Sequence, residues 1–295
     1  MINTLENLCT SVCTDLKPRN KISKKHQFLS IYNEIQALIK RLYIQIKRRP
    51  STLISGILQP LLWLLLFGAL FQNAPVGLIT SNTKYGTFLS PGIVTFTAFT
   101  GAINAGLPLM FDREFGFLNR LLMSPLISRN SLLISSICFI TTITTIQTLI
   151  IIIFSFILYQ NTLNILTICA ILLITFLITL STAGISICLA FILPGHIEFL
   201  ALILIINLPM LFSSTALAPL SFMPYWLQFI ASLNLLTYSI ESIRHLFITN
   251  YLYNNPIIMQ TIWFNIKLWD SIYILIIFNI ISFIIVKNII SYKFE

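Results

Sequence analysis

The sequence predicts an all-α membrane protein with six transmembrane helices. An amphipathic helix at the membrane interface precedes them, and a re-entrant or interfacial helical hairpin lies before the last span. Three observations lead to this class. Of the 295 residues, 57% are hydrophobic and 9% charged, with a mean hydropathy of +0.89, whereas soluble domains carry roughly 25% charged residues. The apolar residues gather in runs long enough to cross about 30 Å of hydrocarbon, which takes roughly 20 helical residues. Finally, Lys and Arg are distributed unevenly around those runs.

Residues 1–27 read as a polar, basic tail holding Lys17, Arg19, Lys21, Lys24 and Lys25. They lack the apolar core of a signal peptide, so a disordered, solvent-exposed segment is expected. Over 28–49, Phe28, Ile31, Ile35, Leu38, Ile39, Leu42 and Ile46 recur at three- and four-residue steps. That spacing makes an amphipathic helix lying in the interface, with Lys40, Arg41, Lys47, Arg48 and Arg49 toward its end. Pro50 and Ser51 break it, and 53–72 is the first span. Pro60 is tolerable there because neighbouring helices can satisfy the freed carbonyl.

The second span, 86–110, is interrupted by Pro91, Gly92, Gly101, Gly106 and Pro108, and is expected to pack against other helices. A charged element, 112–128, follows. Spans three and four cover 131–158 and 165–193; only YQNTLN separates them, so they must be antiparallel neighbours. The turn PGHIE leads into a fifth span, 199–219. The apolar stretch 220–246 is the hairpin, a polar loop runs to about 269, and 271–286 is the last span.

The basic residues orient this arrangement. With both termini on the cytosolic side, 15 of the 18 Lys and Arg fall on that side, and Lys84, Arg244 and Lys267 on the other. A crossing at 220–246 would move Lys287 and Lys293 outward and weaken the bias, so that stretch is placed as re-entrant.

Several chemistries find no support. No G-x-x-x-x-G-K-[ST] occurs, so the chain has no P-loop of its own. His26, His196 and His245 are far apart with no ligands at metal spacing, and the five cysteines are scattered, so neither a metal site nor a disulfide framework is expected. The net charge of +9 follows the membrane topology and predicts no nucleic-acid partner. Glu34, Asp112, Glu114, Glu198, Glu241 and Asp270 all fall at span ends or in loops, which argues against a proton-coupled carrier.

The charged element stands out, with Asp112, Arg113, Glu114 and Arg120 crowded around Gly116 and closed by Ser124 and Pro125. It is expected to form a helix with Asp112 and Glu114 at its front, favourable to the N-terminal dipole, and Pro125 at its end. Arg120 is expected to face water or a partner. In the hairpin, Glu241 and Arg244 have the spacing of a local ion pair, with a gating role as the functional alternative. Pro219 and Pro224 set its shape, and Tyr225 and Trp226 read as interface anchors.

Three stretches together resemble the membrane subunits of ABC-2 type (type V) ATP-binding cassette exporters, over about residues 30 to 290. They are RRPSTLISGILQPLLWLLLFGALF at 48–71, YGTFLSPGIVTFTAFTGAINAGLPLMFDREFGFLNRLLMSPLISRNSLLIS at 85–135, and LAPLSFMPYWLQFIASLNLLTYSIESIRHLF at 217–247. The second carries an E-x-G-x-x-x-x-L-x-x-[ST]-P element. In the third, Asn234-Leu235 stands where the family has Asn-Pro.

The resemblance implies an ABC-2 transmembrane domain over 28–290, in a homodimer or heterodimer of permease subunits, each docked on a separate ATPase. ATP and Mg would belong to that ATPase, and this chain would bind no cofactor. Coupling to the ATPase would run through the interface helix and through Asp112, Arg113, Glu114, Gly116, Leu118, Arg120, Leu121, Ser124 and Pro125. The outer hairpin would cap the path through Pro219, Pro224, Trp226, Asn234, Tyr238, Glu241 and Arg244. The expected cargo is a lipid, glycan or amphiphile. A secondary carrier and a non-transporting scaffold or assembly factor are the rival readings. The abundance of Ile, Asn, Lys, Phe and Tyr suggests an AT-rich genome, and with the family it resembles a permease encoded in algal plastid genomes. A plastid (chloroplast) membrane is therefore expected, with a bacterial inner membrane as the alternative.

Overall fold

A computed structural model describes residues 24–71, 85–123, 130–159, 164–249, 257–261 and 263–294. Most of the expected tail, and Ser124 and Pro125 with the rest of 124–128, lie outside the described residues.

Helix α1 (Lys24–Arg48) is the amphipathic element, and its Leu38 and Leu42 are buried. Pro50 opens α2 (Pro50–Leu70), where its missing N–H costs nothing. Next come α3 (Tyr85–Asn104), α4 (Leu107–Glu114) and α5 (Phe117–Met123). The long helices α6 (Asn130–Tyr159) and α7 (Ile165–Ile192) follow, then α8 (His196–Phe212). A 3-10 turn at Leu220–Phe222 precedes α9 (Tyr225–Leu233) and α10 (Leu235–Thr249). Strands β1 (Ile257–Gln260) and β2 (Asn265–Lys267) pair antiparallel and lead into α11 (Leu268–Phe294).

Among the described residues, five helical segments are long and apolar enough to cross a membrane: Pro50–Leu70, Tyr85–Glu114, Ser131–Tyr159, Ile165–Ile192 and Leu268–Ile289. The sequence leads one to expect six. The sixth candidate, 199–219, is the 17-residue α8, which contains Pro209 and gives way to turns after Phe212. At about 1.5 Å per residue it reaches about 26 Å, at the short end of the roughly 17–25 residues that a crossing takes. Residues 220–246 contain no single crossing helix but two short ones, broken at Asn234. The segment expected to be a loop up to 269 holds the small β-hairpin, which sequence reasoning did not find.

Helix α3 is the buried axis of the fold, packed against α2, α6, α7 and α10. Its alternation of small and aromatic residues lets neighbours approach on every side. Polar side chains tie the outer helices: Ser282 Oγ donates to the Ser181 carbonyl (2.9 Å) and Asn279 Nδ2 to that of Leu177 (2.9 Å), joining α11 to α7. Such contacts hold helices together where the hydrophobic effect between them is absent.

Candidate functional site

The charged element is an elbow, where the helical run from Tyr85 to Glu114 ends and a second short helix begins. Pro108 sits in the first turn of α4, where proline is tolerated. The helix ends at Glu114, and Gly116 adopts φ +70°, a left-handed conformation that glycine takes freely. The Gly116 N–H donates to the Arg113 carbonyl (3.2 Å), the tightened bond that closes a glycine-terminated helix. Helix α5 then starts at Phe117. The expected single helix over 112–128 is thus two short ones, and Asp112 and Glu114 close a helix rather than front one. Pro108 and Gly116 set these limits, so the N-terminal dipole of that helix is not what their charge serves.

The three charges of α4 are each consumed by a different element. Asp112 Oδ1 accepts from Arg41 Nη2 of α1 at 2.5 Å, and the same guanidinium lies 3.8 Å from the centre of the Phe117 ring. Arg113 donates from Nη1 to the carbonyls of Ala190 and Phe191 (both 2.7 Å), and from Nη2 to those of Leu193 and Pro194. Those groups end α7, where backbone carbonyls lack helical partners and the dipole favours a cation. Glu114 Oε2 accepts from the backbone N–H of His196 (3.2 Å) and lies 2.7 Å from its Nδ1, at the start of α8. An anion belongs there for the converse reason. The turn PGHIE is therefore clasped at its start, by Arg113 at Pro194 and the carbonyls before it and by Glu114 at His196.

Other residues of the elbow face away from the protein. Phe115 is 75% exposed and Met123 89%, with Asn119 and Arg120 exposed between them. Leu118 is buried and Leu121 half-buried beneath them, holding α5 on the body. Lys40, Lys47 and Arg48 of α1, and Arg49 just after it, are exposed, while Arg41 turns inward to Asp112.

At the hairpin, Arg244 is only 5% exposed. It pairs with Glu241 through Nη1 (2.5 Å), donates from Nη2 to the Thr215 carbonyl (2.6 Å), and lies over Phe88. Asn234 fits the N-cap of α10: its Oδ1 accepts the Leu236 N–H (3.0 Å), and its Nδ2 donates to Met210 O and Ser213 Oγ. Tyr238 donates its hydroxyl to the Ser232 carbonyl (2.5 Å). Pro219 and Pro224 flank the 3-10 turn, and Tyr225 and Trp226 are exposed. Phe88, Thr215 and His196 are the partners sequence reasoning missed; each is distant in the chain from the charge it meets. Among the described residues, no group of three or more His, Cys, Asp or Glu is placed to hold a metal ion.

Comparison with known proteins decides the family. The model for the family described as ABC-2 type transporter matches residues 33–248, more than half of the chain, and takes in both the elbow and Arg244. The chain belongs to the ABC-2 type transporter family. It is 52% identical to the protein named "Putative transport permease ycf38" of Porphyra purpurea, over 94% of this chain and 96% of that one. The proteins of the same name in Pyropia yezoensis and Cyanophora paradoxa are 52% and 50% identical, over 90% and 88% of this chain and 91% and 89% of theirs. This ABC-2 protein is thus a membrane permease of an ABC transporter. Its elbow joins α1, α7 and α8 at one point and leaves Phe115, Asn119, Arg120 and Met123 uncovered.

Proposed function

We propose that this ABC-2 permease is the membrane-spanning part of an ATP-driven exporter. It works as a homodimer or heterodimer, each permease docked on a separate ABC ATPase that carries ATP and Mg. The observation that carries the reading is the division of roles in the elbow. Asp112, Arg113 and Glu114 grip three helices of the chain itself, while Phe115, Asn119, Arg120 and Met123 face outward. The exposed face meets the ATPase; the clasp transmits the push. When ATP closes the partner, displacement of α5 moves α4, and with it α1, the end of α7 and the start of α8 together. The cargo is a lipid, glycan or amphiphile, and the membrane is that of a plastid, a reading supported by the relatives named ycf38.

The test is to purify the tagged full chain in mild detergent and identify co-purifying ABC ATPases. An ATPase is expected with the native chain, and it is expected to be lost with Phe115→Asp and Arg120→Glu while elution volume and melting temperature stay unchanged. A native chain that brings no ATPase, or variants that both keep it, would overturn the reading.

A further inference from the structure

A cavity of about 290 Å³ lies between the end of α1, α2, the α3–α4 bend and α6. This is far more than the 10–15 Å³ or so that one water requires, and near the lower end of small-ligand pockets at roughly 300 Å³. One wall is apolar, with Leu53, Phe96 and Ile143; the other carries Gln45, Arg49, Gln59, Asn104 and Gln147.

Gln147 is the notable member. It lies in the middle of α6, is 4% exposed, and its Oε1 meets no hydrogen-bond donor among the described residues. Its amide sits between two glycines of neighbouring helices. A Cβ on Gly56 of α2 would fall 2.5 Å from Nε2, and one on Gly101 of α3 would fall 2.6 Å from Oε1. The two helices are shaped to admit this amide, although a buried polar atom without a partner costs about 1–3 kcal/mol. Gln45 Oε1, on α1, is likewise buried and without a donor.

The lining defines what fits. Two free acceptors call for a ligand with hydroxyl or amide donors. Among the described residues Arg49 is the one charged side chain in the lining, so a cation is disfavoured and an acceptor or anion is welcome. On α2, Thr52, Ser55 and Gln59 form a polar stripe at helical spacing on an otherwise apolar span. Leu58 and Leu62 lie beside that stripe and are exposed, continuing it as an apolar surface for an acyl chain.

We propose that this cavity is a binding site for the hydroxyl-rich headgroup of a lipid, with Gln147 and Gln45 accepting from its hydroxyls and Arg49 donating to it. Hydroxyls satisfy the two glutamines, the volume takes one sugar-sized headgroup, and the chains lie along α2. The site is built within one permease chain and does not depend on the ATPase.

The test uses the full chain in phosphatidylcholine nanodiscs doped with a monoglycosyl diacylglycerol or with plain diacylglycerol, and counts retained lipids by native mass spectrometry. Retention of the glycosyl lipid at least tenfold above both others is expected. Gln147→Leu is expected to remove that preference and Arg49→Gln to cut it severalfold. Should Gln147→Leu fail to fold, Arg49→Gln and Gln59→Leu, both at exposed positions, decide the matter. Equal retention of all three lipids, or a preference that survives every variant, would overturn the proposal. Displacement of the lipid by millimolar free hexose would overturn its lipid part and leave a sugar site.

Discussion

The guanidinium of Arg244 stands 3.7 Å from the centre of the Phe88 ring, so the second hairpin helix is fastened to the first turn of the most buried helix in the fold. With Glu241 and the Thr215 carbonyl, this contact ties α10, α3 and the turns after α8 into one unit. Removing one partner of a buried ion pair typically costs 3–5 kcal/mol, because the other charge is stranded. Arg244→Ala is therefore expected to lower the melting temperature in detergent sharply. The double variant Arg244→Met with Glu241→Leu removes both charges and is expected to recover most of the loss. Equal destabilisation by single and double variants would show that the stranded charge is not the cause.

Arg113 makes the corresponding tie at the elbow, where its fork reaches four carbonyls at the end of α7. A lysine ammonium has no such planar fork and cannot span them all. Arg113→Ala is expected to cost about 1–3 kcal/mol, the range for orphaned polar groups, and Arg113→Lys a fraction of it. Hydrogen exchange would localise the effect: amides around 189–198 should lose protection first, while those of α3 keep theirs.

Gly116 offers a purely conformational test. Nothing lies within 4 Å of a Cβ placed there, so only its φ of +70° opposes a side chain. Gly116→Ala is expected to cost about 1–2 kcal/mol from left-handed backbone alone. Gly116→Asn is expected to be milder, since Asn tolerates that region. Thermal unfolding of the two variants checks the order; an alanine as well tolerated as asparagine would contradict it.

The charge cluster at 112–120 and the Glu241–Arg244 pair were legible because both are local: one is a break in an apolar chain, the other a three-residue spacing. Their partners were not legible. Asp112 meets a residue 71 positions away and Glu114 one 82 away, and such pairings depend on how helices pack. The direction of the elbow was misjudged for a physical reason too. Proline and glycine bound its helices more strongly than the acidic residues mark a start, so Pro108 and Gly116 decide where α4 lies. The shortness of α8 had a sign in Pro209 and the Ser-Ser-Thr run after it, but hydropathy continues unbroken through 219 and masks the end.

The Asn234-Leu235 step, which departs from the Asn-Pro of the motif it resembles, costs the fold little. Asn234 fits the N-cap of α10, so Leu235 occupies the first helical position, where a backbone N–H has no intrahelical partner and proline is well tolerated. A leucine there in place of proline therefore costs the turn no hydrogen bond. Leu235→Pro is expected to leave the melting temperature within about a degree or two, consistent with an effect under roughly 0.5 kcal/mol. Leu236→Pro, one position on, deletes the N–H that Asn234 Oδ1 accepts and is expected to destabilise strongly. Asn234→Ala removes the cap and is expected to cost about 0.5–2 kcal/mol, with more lost because its Nδ2 also holds Met210 and Ser213. A destabilising Leu235→Pro would mean that α10 does not begin at Leu235.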